Sequence, residues 1–234
     1  MKTGIIGAMD QEVAILAEAI ENPQTTSVAG MTFTEGKIGS ADTVVVRCGI
    51  GKICAAVCAQ ILIDRFHVTH LINTGIAGSL NADIDIGDAV VATEAVHHDL
   101  DVTNFGYDFG QVPGFRTQAF PADEALRSLC IQAIRSEAPD IHVFEGRIAS
   151  GDQFIRTKER KEWIREHFGA ECCEMEGAAI AQTAYMNQIP YVIIRMISDK
   201  ADESAVMAYP EFEAQAARNS AALLLKVLHT IRED

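Results

Sequence analysis

Ala170–Tyr185 reads AECCEMEGAAIAQTAY and Ile189–Asp202 reads IPYVIIRMISDKAD. In each, an apolar run stops at carboxylates: Glu174 and Glu176 in the first, Asp199 and Asp202 in the second. The residues after Glu176 (GAAIAQTAY) favour helix. As strands of one parallel sheet, the two runs would end on a shared rim, the place where open α/β sheets bind ligands. Residues two apart on a strand share a face, which aligns Arg195 with Asp199 and Glu174 with Glu176. Glu176 is then expected to stay ionised at a helix start, oriented by Arg195, and to accept two hydrogen bonds from a vicinal diol. Asp199 ends an apolar strand, where desolvation raises a carboxyl and fits it to donate a proton.

Similar strand ends recur upstream. Thr3–Ala8 (TGIIGA) is a short buried strand, and Asp10–Ile20 follows as a helix with Asp10 as N-cap and Glu12 in its first turn. Met31–Lys37 and Thr43–Cys48 read as a hairpin pair. Gly49 and Gly51 mark close backbone approach before a helix over Ile53–Phe66. His70–Thr74 is a buried strand ending in Gly75-Ile76-Ala77-Gly78, and Gly87–Val96 is another. Residues 97–122 have no helical period and hold Phe105, Tyr107, Phe109, Phe115 and Phe120. A loop of that length suits a ligand cap or a subunit contact. Adjacent strand residues face opposite ways, so His97-His98-Asp99 reads as structural hydrogen bonding and not as a metal site. Asp123–Ser136 is an amphipathic helix, Val143–Ser150 a strand, Thr157–Phe168 a polar helix capped by Thr157, and Pro210–Ile231 a long closing helix. No linker interrupts the chain. The expectation is one domain over residues 1–234, a three-layer α/β/α sandwich around a mixed, mostly parallel sheet.

The 234 residues carry a net charge of −14, which excludes nucleic acid and anionic membranes as main partners. No apolar run reaches the roughly 20 residues of a membrane span. The N-terminus MKTGIIGAMD lacks the apolar core and cleavage site of a signal peptide. The six cysteines form no C-x-x-C and have no zinc-finger partner, so reduced thiols in a soluble cytoplasmic protein are expected. No metal or cofactor is expected: the cysteines and His97-His98-Asp99 offer no ligand set, and the lone G-x-G lacks both the dinucleotide fingerprint and the P-loop spacing.

An acid, a base and a diol clamp suit cleavage of a glycosyl bond through an oxocarbenium-like state. At this point the chain resembles a known family. GIIGAMDQE at Gly4–Glu12, SGDQFI at Ser150–Ile155, EMEGAAIA at Glu174–Ala181 and RMISDKAD at Arg195–Asp202 are similar to the bacterial 5′-methylthioadenosine/S-adenosylhomocysteine nucleosidases of the nucleoside phosphorylase-like superfamily. The resemblance implies that Asp199 protonates purine N7 and Glu12 deprotonates the attacking water. It implies that Glu176, beside Met175, holds the ribose hydroxyls. Phe154 would stack on adenine while the Ile155 backbone reads its edge. Met9, Ile50, Phe105, Tyr107, Pro113 and Tyr209 would line the 5′-thio pocket, with Phe105, Tyr107 and Pro113 lent by the partner of a homodimer. The family often has Ser where this chain has Ile76, so Asp199 would be oriented instead through Ser198. Between Lys2 and Lys37 there is no Lys or Arg, and a carboxylate at Glu12 repels a phosphate nucleophile, which favours hydrolysis. Arg47 is the one rim cation against that argument. The alternatives are cleavage of aminodeoxyfutalosine or 5′-deoxyadenosine on the same fold, and a non-catalytic nucleoside-binding domain.

Overall fold

The strand β1 (Lys2–Gly7) is apolar on both faces and lies buried between two parallel neighbours, β4 (Ala41–Arg47) and β5 (His70–Ser79). It belongs to a computed structural model that describes residues 1–202 and 205–230, with the side chains of 205–212 and 230 outside the described residues. Tyr209 therefore lies outside them. Beyond β4 come β3 (Met31–Ile38) and β2 (Glu21–Val28), both antiparallel. On the other side β5 pairs with β10 (Tyr191–Asp199), parallel over eight partners. β10 pairs antiparallel with β6 (Ala89–His97), which runs parallel to β8 (Val143–Ser150), again over eight partners. β9 (Ala170–Glu174) joins β8 in parallel and meets the far end of β5 antiparallel, and the short β7 (Phe120–Pro121) pairs with β6. The longest ladders are thus the parallel ones, and β5, β10, β6, β8 and β9 close into a ring.

Helices cover both faces. Residues of α2 (Lys52–Phe66) and α5 (Gly177–Asn187), such as Cys58, Leu62, Ala178 and Ala184, pack with Phe33, Val44 and Ile193. Residues of α1 (Asp10–Glu18), α3 (Glu124–Glu137) and α6 (Ala205–Thr230), such as Leu16, Ile134 and Leu224, pack with Ile5, Ile72 and Val91 on the other side. Each fully buried aliphatic side chain of this kind contributes roughly 1.5–3 kcal/mol. The helix α4 (Lys158–Phe168) closes the ring end through Ile164 and Phe168. No helix among the described residues is long and apolar enough to cross a membrane.

Four details depart from the sequence reading. β9 and β10 do not form one parallel sheet with a common rim. They run in opposite directions on either side of β5, and their ends converge because Gly78 is the register partner of both Cys173 and Asp199. β5 does not stop before its glycines but continues to Ser79, because those residues carry its second pairing. Met9, not Asp10, caps α1. The carboxylate of Glu12 turns back onto the Met9 amide at 2.9 Å, so the third helical residue satisfies the cap. The strand β2 (ENPQTTSV) had no apolar signature because none of its residues is buried, and its register shift between Glu21 and Gln24 accommodates Pro23.

Candidate active site

A pocket of about 460 Å³, including its open mouth, sits where β1, β5, β9 and β10 end. Glu12, Glu174, Glu176 and Asp199 all line it. The four carboxylates occupy different environments, and these set their chemistry.

Glu12 is fixed by three backbone amides. Its Oε2 accepts from Ala8 N at 2.6 Å and Met9 N at 2.9 Å, and its Oε1 from Ile76 N at 3.1 Å. Burial pushes its pKa up, against the pull of the Arg195 charge and of those amides. Gly75 makes the room: a Cβ there would lie 2.5 Å from Glu12 Oε1.

Asp199 ends β10 just after a register shift between Ile197 and Asp199, so the simple alternation with Arg195 is broken there. Its Oδ1 accepts from Ala201 N at 2.8 Å and its Oδ2 from Ser198 Oγ at 2.9 Å. Burial raises its pKa in spite of both bonds. Ser198 is thus the side chain that bonds the Asp199 carboxyl. Ile76 instead packs with Ala216, Ala217 and Met9.

Glu176 and Arg195 differ from expectation. Glu176 sits beyond β9 as the N-cap of α5, with Oε1 accepting from Gly51 N at 2.8 Å. The helix dipole was expected to keep it ionised. Burial, together with the negative Glu174 two residues back, instead pushes it up to about 8. Arg195 does not orient Glu176. It is buried, and its Nη2 lies 2.5 Å from Glu174 Oε2 and also contacts Asn73. Glu174 in turn accepts from Ser150 Oγ and from the Gly177 amide at 2.8 Å. Burial alone would raise Glu174, but Arg195, Ser150 and Gly177 together hold it below the usual range. Glu174 is therefore held ionised by its partners, while Glu176, two residues on, is pushed toward its neutral form. Sequence reasoning could not assign them, because the chain turns from strand into helix between the two.

Met9, Ile50, Ile76, Phe154, Met175 and Ser198 all reach the pocket wall. Ile155 lines an adjoining lobe with Phe154 and Asp199. Phe105, Tyr107 and Pro113 are not on that wall, and Phe105 is 75% exposed. Phe109 packs on Trp163 at 4.8 Å, and Phe115 on Phe120 at 5.5 Å, so these loop aromatics belong to the chain's own core. His97 bonds Gln182 at 2.9 Å, and Asp99 pairs with Lys52. Arg47 lies outside the pocket, paired with Asp10 at 3.3 Å. The sequence reading missed Cys173 and Gly78 on the wall. It also missed the amide of Gly51 as a partner of Glu176, although the glycine pair at 49 and 51 had signalled a close approach.

Four acids gathered in one pocket on this mixed sheet define a class. A family model described as "Phosphorylase superfamily" matches residues 2–229. A 5′-methylthioadenosine/S-adenosylhomocysteine nucleosidase of Exiguobacterium sp. strain AT1b is 43% identical over 100% of both chains. The Neisseria meningitidis 5′-methylthioadenosine/S-adenosylhomocysteine nucleosidase, solved in complex with methylthio-immucillin-A, superposes with a TM-score of 0.94 at 40% identity, covering 98% of this chain and 99% of that one. A futalosine hydrolase of Helicobacter pylori gives 0.93 at 34% identity, covering 99% and 98%. The chain belongs to the 5′-methylthioadenosine/S-adenosylhomocysteine nucleosidase family of the phosphorylase superfamily.

Proposed function

We propose that this chain hydrolyses the N-glycosidic bond of 5′-methylthioadenosine and S-adenosylhomocysteine, releasing adenine and the 5′-thioribose. The observation that carries the reading is the convergence of Glu12, Glu176 and Asp199 on a pocket wall that, among the described residues, includes no Lys or Arg. Asp199, whose pKa burial raises, donates to purine N7 as the bond to the sugar breaks. Phe154 stacks on adenine, and the Ile155 backbone reads its edge. Glu176 takes the ribose hydroxyls on Oε2, since Gly51 already occupies Oε1. The positive charge of an oxocarbenium-like state favours its ionised form. Glu12 removes a proton from the attacking water, its raised pKa making it a stronger base. Arg195 is committed to Glu174 and Arg47 to Asp10, which leaves a phosphate nucleophile without a cationic partner and supports water instead.

The working unit in this reading is a homodimer. Ile50 on the pocket wall, Ile53 on α2 and Phe105 stand exposed, apolar surface that a second copy of the chain would cover. Phe105, Tyr107 and Pro113 of one subunit serve the pocket of the other. Free cysteines, five of them buried, support a reducing cytoplasmic setting.

Incubation with methylthioadenosine in phosphate-free buffer is expected to release adenine. Absence of release, or release only on adding phosphate, sinks the proposal. The likeness to a futalosine hydrolase favours one second reading, the same cleavage on aminodeoxyfutalosine. Comparing specificity constants on the two substrates decides between them.

A further inference from the structure

We propose that Asp99 is a positioning residue for the ribose clamp, tying the loop that carries the Gly51 amide to the loop that carries Phe154. The inference rests on the nucleosidase reading. Asp99 lies outside the pocket wall, yet it is one contact away from both loops. Its Oδ1 is 2.5 Å from Lys52 Nζ, and its Oδ2 accepts from Asp152 N at 2.9 Å. Asp152 Oδ1 closes the triangle by accepting from Lys52 N at 2.8 Å. Lys52 follows Gly51, whose amide holds Glu176 at 2.8 Å. Asp152 precedes Gln153 and Phe154, and Phe154 lines the pocket wall.

Two further features point the same way. Lys52 is the first residue of α2, where the helix dipole disfavours a cation. Its pairing with Asp99, at side-chain exposures of 19% and 14%, offsets that cost. Glycines also stand where these loops meet the side chains of the triangle. At Gly51 a Cβ would sit 3.0 Å from Asp152 Oδ1, and at Gly151 one would sit 3.0 Å from Asp99 Cγ and 2.4 Å from His98 Cε1. The Gly51 backbone has φ +99, a region glycine adopts at no steric cost, so the restraint that aims its N–H at Glu176 comes from its neighbours. Asp99 supplies it through Lys52 and Asp152. Without the ion pair the Gly51 N–H moves off Glu176, and the carboxyl loses the partner that fixes it against the diol.

The test compares wild type with Asp99→Asn in two measurements: kcat/KM on methylthioadenosine, and the inhibition constant of its 2′,3′-dideoxy analogue, which has no diol for Glu176 to hold. The variant is expected to lose about tenfold in kcat/KM, the scale of one weakened hydrogen bond to a charged group. The inhibition constant should move by less than about threefold on the same reasoning. Lys52→Met should give the same pattern, and the double variant should be no worse than the worse single, because both act through one contact. Equal losses on substrate and analogue would mean general loosening and overturn the proposal, as would no loss at all. If Asp99→Asn fails to fold by circular dichroism, the Lys52→Met pair of measurements decides. Wild-type protein that cannot cleave methylthioadenosine refutes the nucleosidase reading; wild type that cleaves, with no differential loss in the variants, refutes the Asp99 role alone.

Discussion

Replacing Glu176 with Gln is expected to free the protein's stability from a penalty that grows with pH. The side chain is 6% exposed, accepts one hydrogen bond from Gly51, and faces the ionised Glu174. Its pKa rises from 4.5 to about 8 on folding. A raised carboxyl contributes stability that is complete below the unfolded value and is lost as pH rises through the folded one. At about 1.4 kcal/mol per pH unit, ionising it in the folded chain costs up to about 5 kcal/mol. Relaxation and water entry around the carboxylate reduce this to about 3 kcal/mol. Gln keeps the acceptor for Gly51 and carries no charge, so the variant escapes the loss. For a chain of this size 1 kcal/mol shifts the melting temperature by roughly 2–4 °C, so the gap between variant and wild type should widen by about 6–12 °C from about pH 5 to about pH 9. Thermal melts of the ligand-free protein at fixed concentration measure it. A gap that stays constant, or that widens toward acid, would refute the reasoning about Glu176.

Three other outcomes are expected. Asp199→Asn should lower turnover by about 10²–10⁴-fold while adenine still binds by calorimetry, because only the transferable proton is lost; near-native turnover would remove Asp199 from the mechanism. Gly75→Ala places a Cβ 2.5 Å from Glu12 Oε1 and should cut kcat by roughly 100-fold through displacement of the base, with adenine release as the readout. Arg195→Met leaves Glu174 ionised and unpaired in the interior, and urea denaturation should show a loss of about 3–5 kcal/mol.

Much of the fold was legible because buried parallel strands such as Thr3–Ala8 and Tyr191–Asp199 are apolar on both faces, and because Asp123 and Thr157 are local caps whose side chains bond the third residue on. β2 was not legible, since an exposed edge strand needs no apolar face. The sequence by itself determined the fold class, the starts of α3 and α4, and the set of acids at strand ends, all of which follow from local periodicity and residue chemistry; it misplaced the cap of α1 and began the closing helix at Pro210, whereas α6 begins at Ala205. Which acid is held ionised and which is pushed toward its neutral form was decided only by tertiary structure. Glu174 and Glu176 are two residues apart and chemically identical, and the difference between them is a buried arginine from β10 on one and a glycine amide from the start of α2 on the other. Desolvation and charge depend on distance in space, and the partners that set them come from segments 21 and 125 residues away.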